Sequence, residues 1–140
     1  MIVVDTGPIV AAAITDDAHH ERCVQEFARI FKARTTMVVP SFVAAEACYM
    51  LSRFGTPQHE AAFVRSLESG LLTFGELTTD DLARVAVLVD RYADFPLGAA
   101  DASVVSVAER LKATEVFTLD VRHFTAMRPA HTSAFTLLPG

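Results

Sequence analysis

Short apolar runs alternate along this chain with longer segments whose apolar positions recur every three or four residues. Runs rich in Val and Ile and bounded by turn residues suit buried strands, and a 3.6-residue recurrence suits helices packed by one face. Ile2-Val3-Val4 predicts a first strand, closed by Asp5-Thr6-Gly7-Pro8 and followed by a short apolar helix. Cys23, Phe27, Ile30 and Phe31 repeat at i, i+4, i+7 and i+8, predicting a longer helix capped by Asp16 or Asp17. Met37-Val38-Val39 predicts the second strand, stopped by Pro40. Ser41 then stands where it can cap a helix with Val43, Ala47, Met50 and Leu51 on one stripe.

Gly55-Thr56-Pro57 breaks that helix, and another is expected from Pro57 to about Leu67, with Gly70 just beyond as a C-terminal stop. Leu71 to Phe74 predicts the third strand. Thr78 and Asp81 have the spacing of a capping box for a helix through Tyr92. A turn at Asp94–Gly98 precedes a helix to about Lys112, and Val116–Leu119 and Phe135–Leu138 predict the last two strands. No repeat, low-complexity tract or Gly/Ser linker interrupts the series. The expected fold is a single α/β domain over residues 1–140, a central, mainly parallel sheet of four to five strands with helices on both faces.

Half of the 140 residues are hydrophobic, which excludes intrinsic disorder and allows a core without staples. Cys23 and Cys48 form no CxxC pair, so a reducing compartment with both thiols packed as small apolar groups fits best. The longest early apolar run, Ile9–Ile14, is far short of a bilayer span, and no Lys or Arg precedes Arg22. Cytoplasmic residence without membrane contact is therefore expected. A net charge of −5 argues against a simple nucleic-acid binder, whose phosphate contacts call for a basic surface. Cations gathered at one acidic site would offset that charge locally. Ten of the twelve bases are Arg, the side chain better suited to phosphate.

Four acids stand apart from those on polar helix faces, such as Glu21, Glu26, Glu60, Glu68 and Glu109. Asp5 and Asp120 directly end predicted strands, where open parallel sheets gather their ligands. Taken alone, each is more simply read as a turn residue. Asp101 falls in the same helical arc as Val104, Val105, Ala108 and Leu111, with Ser106, Glu109 and Arg110 opposite. A first-turn Asp favours the helix dipole, which explains its place along the helix but not its direction. Glu46 flanks the stripe of Val43, Ala47 and Met50 among small Ala residues, and equally suits a boundary Glu reaching water.

If the four converge within about 5 Å, each ionised pair repels by roughly 3 kcal/mol at an effective dielectric near 20. A hard divalent cation offsets this, and an all-oxygen set selects Mg²⁺ or Mn²⁺ over zinc. Such a site can activate water for phosphodiester hydrolysis. Arg122 is the candidate phosphate contact, with Arg53 a weaker one. His123, following the fourth acid, can assist proton transfer or touch phosphate, although a packed or solvent-facing ring is the simpler reading. His19 and Cys23 make half a zinc site with no second half. Tyr49 and Phe54 have helical spacing that points to the core.

At these residues the chain resembles the PIN-domain family, specifically the VapC-type toxins of toxin–antitoxin pairs. "VVDTGPIVAA" is similar to the family's opening strand with its first metal acid, here Asp5. "VVPSFVAAEACYML" is similar to its second block, which places the family's Glu at Glu46. "DFPLGAADASVVSVAERLKATEVFTLDVRHF" resembles its closing block, with acids at Asp101 and Asp120. The resemblance covers almost the whole chain. It implies a PIN-like fold, a Mg²⁺-dependent endoribonuclease, an antitoxin partner of the VapB type and a homodimer. It also implies that the Thr118 hydroxyl, and Thr6, lie near the site. Gly7 departs from the Ser or Asn that many members carry there. Two other functions compete: a catalytically silent PIN-fold module that binds RNA or protein, and a phosphatase or receiver-type domain. The latter wants a second Asp at position 7, which is Gly.

Overall fold

The computed structural model describes all 140 residues. Strands and helices follow as β1 (Ile2–Val4), α1 (Thr6–Ala13), α2 (His20–Lys32), β2 (Met37–Pro40), α3 (Ser41–Phe54), α4 (Pro57–Glu68), β3 (Thr73–Gly75), α5 (Thr79–Arg91), α6 (Ala99–Leu111), β4 (Glu115–Phe117), α7 (Val121–Ala126) and β5 (Thr136–Leu138). The five strands pair in the order β3-β2-β1-β4-β5, all parallel. Every residue of β1 and β2 is buried, although successive side chains point to opposite faces. Both faces of the sheet centre are therefore covered, as parallel sheets require. The core is one cluster that runs from Ile2 to Leu138. The α/β sheet expected from the sequence is thus present with five strands.

Strand order reverses at β1: the chain moves outward through β2 and β3, then returns to the other side of β1 with β4. A crevice opens at such a reversal, outside the carboxyl ends of the two strands that diverge. Here those ends lead into Asp5 and into the segment Thr118–Asp120.

Several local expectations change. α2 begins at His20 without a side-chain cap. Asp17 instead accepts the His19 N–H at 2.8 Å in the turn before it. Ser41 is the first residue of α3 and caps nothing; Pro40 holds the N-cap position. β3 begins at Thr73 rather than Leu71, and β4 ends at Phe117 rather than Leu119. The Thr78–Asp81 capping box forms as expected, and Gly70 takes φ +80° just past α4. That conformation is cheap for glycine and strained for residues with a Cβ.

α6 is buried almost all round, from Ala102 to Ala108, because α5 and α3 pack on it as well as the sheet. Ser106 is consequently inside rather than on a polar face, donating to Asp81 Oδ1 at 2.8 Å. Glu109 is no free surface acid either: Arg84 grips it through two nitrogens at 2.8 and 3.0 Å. Tyr49 and Phe54 leave the core altogether, at 63% and 61% exposure. The buried stripe of α3 is Val43, Ala44, Ala47 and Leu51, and Tyr49 lies on the opposite arc.

Candidate functional site

One cavity of about 420 Å³ opens at the crevice beside β1, lined by Asp5, Thr6, Gly7, Glu46, Met50, Asp101, Leu119 and Asp120. The four singled-out acids reach it from separate places: the end of β1, the middle of α3, the first turn of α6 and the start of α7. No Lys or Arg is among the lining residues. A second cavity of about 450 Å³ lies elsewhere, walled mainly by apolar residues of α1, α2 and α4. It holds no carboxylate.

Asp5 is the most constrained of the four, with 5% of its surface exposed. It occupies the N-cap position of α1, yet its side chain makes no capping bond. The carboxylate turns instead toward β4, where the buried Thr118 hydroxyl donates to Oδ2 at 2.8 Å. Oδ1 is buried without any partner. Burial, followed by the charge of Asp101, pushes the Asp5 carboxyl up to about 7. An ionised carboxylate that lacks compensation is expensive in such a place, and these two causes are the ones a cation reverses.

Asp101 is also raised above the usual carboxylate range, by burial first and then by the charge of Asp120. Glu46, on α3, is the exposed member. Asp120 does cap its helix: Oδ1 accepts the His123 N–H at 3.1 Å. Its backbone N–H in turn donates to Thr118 Oγ1 at 2.9 Å. Thr118 thus ties Asp5 to Asp120 through one hydroxyl. Thr6 lines the cavity and is 4% exposed, with its hydroxyl oxygen unpartnered.

His123 is neither simply packed nor solvent-facing: it makes specific polar contacts. Nδ1 lies 2.7 Å from Asp120 Oδ2, an ion pair when the ring is protonated. Nε2 lies 3.1 Å from the Pro96 carbonyl oxygen. Both nitrogens face acceptors, which suits the doubly protonated ring. The hydrogen bond to Asp120 raises the imidazole above its ordinary value. The Asp-x-x-His spacing carried this signal, but only once α7 places both residues on one helical turn. Arg122 is exposed, with Cζ 4.9 Å from the Phe95 ring centroid. Arg53 lies on α3 with Cζ 5.7 Å from the Phe54 ring.

The residues fit a hard divalent ion in chemistry: four oxygen-donor acids, an orphaned buried Oδ1, and two carboxyls raised partly by one another. Their spacing is wider than a closed coordination shell, since no three His, Cys, Asp or Glu side chains meet at one ion position.

Comparison with known proteins follows the same lines. Residues 2–128 match the family described as "PIN domain". Ribonuclease VapC26 of Mycobacterium tuberculosis is 30% identical over 141 residues, covering 99% of this chain and all of that protein. Two crystal structures share the fold, each at 18% identity. Mycobacterium tuberculosis VapC20, described as a toxin that cleaves the sarcin–ricin loop, superposes with a TM-score of 0.77 over 87% of this chain and 92% of its own. VapBC2 of Rickettsia felis, bound to a promoter DNA fragment, superposes with a TM-score of 0.65 over 98% and 97%. No helix here is long and apolar enough to cross a membrane.

Proposed function

The chain belongs to the PIN-domain family, in its VapC branch, and from that premise we propose a Mg²⁺- or Mn²⁺-dependent endoribonuclease, the toxin of a toxin–antitoxin pair. Residues 1–140 form one PIN domain. Asp5, Glu46, Asp101 and Asp120 hold the ion. The observation that carries this is the convergence of these acids, from four separate elements, on one cavity at the switch point of the sheet.

A divalent ion bound there supplies positive charge to a phosphodiester and acidifies water for attack. The chain's own groups do the rest. Thr118 fixes the Asp5 carboxylate by Oδ2 and leaves Oδ1 free as a ligand atom. His123 holds Asp120 at both oxygens, by its backbone N–H and by its ring. Glu46, exposed on α3, has the freedom to accept a proton as well as to bind. Thr6 adds a hydroxyl at the cavity wall. Arg122, outside the acid ring, meets a neighbouring phosphate of the RNA.

The partners follow from the family: an RNA substrate, a VapB-type antitoxin like that of the Rickettsia pair, and a second copy of the chain. The cytoplasm, where RNA and a newly made antitoxin are present, is the place of action. Folded protein incubated with structured RNAs should cut them with Mg²⁺ or Mn²⁺ and not with EDTA. Asp101→Asn should abolish the cut. Undiminished cleavage by that variant would remove Asp101 from the site. A folded chain that binds RNA and no divalent ion would instead be a silent binding module.

A further inference from the structure

Two of the four acids are carried by segments that meet around one aromatic residue, Phe95. Asp101 follows the α5–α6 turn, residues 92–98, in which Leu97 is buried and Gly98 caps α6. Asp120 begins α7. Phe95, half-buried in the turn, has its ring centroid 4.7 Å from that of His123, at 53°. The Arg122 guanidinium stands 4.9 Å from the same ring. His123 completes the contact by facing the Pro96 carbonyl with Nε2 and Asp120 with Nδ1.

We propose that Phe95 is a positioning residue for the acid cluster: in contact with both Arg122 and His123, it fixes Asp120 relative to Asp101 and sets the aim of Arg122. The inference rests on the metal-site reading above. Phe95 touches neither the ion nor the RNA and acts through His123 and Arg122. A large apolar ring on a surface turn adds little to the core, which here closes over Leu97 instead. Its two neighbours are a cation and a ring whose nitrogens face acceptors, groups that an aromatic ring orients and an aliphatic one does not. Without the ring, His123 loses the wall that keeps its nitrogens on Asp120 and Pro96. Asp120 is then free to turn away from Asp101. Displacements on the order of 1 Å suffice to cost a metal site much of its rate.

The test compares wild type with Phe95→Ala, Phe95→Leu and Phe95→Tyr by three measurements. Calorimetric titration with Mn²⁺ should show roughly 10- to 100-fold weaker binding in the Ala and Leu variants. The Tyr variant should bind as wild type does. Thermal midpoints in EDTA should stay close together, which separates positioning from loss of fold. Amide hydrogen exchange without metal should quicken at His123, whose N–H is bonded to Asp120, and stay unchanged along α6. Wild-type Mn²⁺ affinity and unchanged His123 exchange in Phe95→Leu would overturn the proposal. If wild type itself binds no Mn²⁺, the metal reading falls, and the exchange data still decide whether Phe95 holds Asp120.

Discussion

The hydroxyl of Thr118 donates to Asp5 Oδ2 at 2.8 Å and joins residues 113 apart in the chain. The bond spans the ends of β1 and β4, the two strands between which the crevice opens. It leaves Asp5 with one satisfied oxygen and one orphan, the arrangement of a ligand held ready for an ion.

Thr118→Val should therefore damage the site twice. Asp5 loses its donor, and the Asp120 N–H loses its acceptor. Stability should fall by about 1–3 kcal/mol, and Mn²⁺ affinity by roughly 10- to 100-fold. Thr118→Ser, which keeps the hydroxyl, should restore most of both in denaturant melts and calorimetry.

Asp5→Asn should have opposite effects on stability and on metal binding. The folded chain holds the Asp5 proton up to about pH 7, well above the usual carboxylate value. A raised acid pKa means that the folded state binds more protons, so metal-free stability falls as pH rises from about 4 to 7. Asn escapes that loss. In EDTA at pH 8 the variant should melt higher than wild type, whereas Mn²⁺ should raise the melting temperature of wild type only. A variant that melts lower in EDTA would show that Asp5 is structural.

The same carboxyl makes metal binding depend on pH. Asp5 is raised to about 7 and Asp101 is raised above the usual carboxylate range, so ion binding expels the Asp5 proton near pH 7 and weakens below it. Calorimetry at pH 6.5 in buffers of different ionisation enthalpy should register that release. A heat independent of buffer would contradict it.

Asp81 anchors a separate network, distant in role from the cavity. It accepts from Thr78 N–H, the Ser106 hydroxyl and Arg110 at 2.8–3.0 Å. Burial pushes its carboxyl up, and those donors together pull it below the usual range; Arg84 and the Ala130 N–H do the same for Glu109. Their stabilisation is present at neutral pH and lost as pH falls through the lowered folded values. Asp81→Ala should cost about 2 kcal/mol or more and flatten that acid limb. Its Mn²⁺ affinity should match wild type, read by calorimetry at pH 7.5.

Arg122→Ala should raise KM for RNA with little change in kcat. The slope of log KM against log salt should become shallower by about 1, the signature of one lost phosphate contact.

That Asp5 and Asp101 face the cavity was legible from a strand end and a helix face, whereas Asp120 does not end a strand: β4 stops at Phe117 and Asp120 begins α7. Ile2–Val4 closes on Asp5, and the 3.6-residue period of α6 turns Asp101 inward. Enclosure of an element was less legible. α6 is packed by α5 as well as by the sheet, so Ser106 and Glu109 look like surface residues in the pattern and are not. α7 went unseen because six residues with one buried side chain, Phe124, leave no period to detect. With α7 missing, the link from His123 to Asp120 and to Phe95 could not be drawn. Thr118 had a family likeness but no local signal, since its partner lies at the other end of the chain. Tyr49 and Phe54 show the reverse error: aromatic residues at helical spacing that face outward.

Anomalous scattering from crystals grown with Mn²⁺ would test the shared-ion claim most directly. A strong peak is expected inside the acid-lined cavity, bonded to Asp5 Oδ1 and to the Asp101 carboxylate, with Glu46 and Asp120 turned toward it. A cavity that stays without a peak at saturating Mn²⁺, or a peak held only by acids outside this cavity, would contradict it.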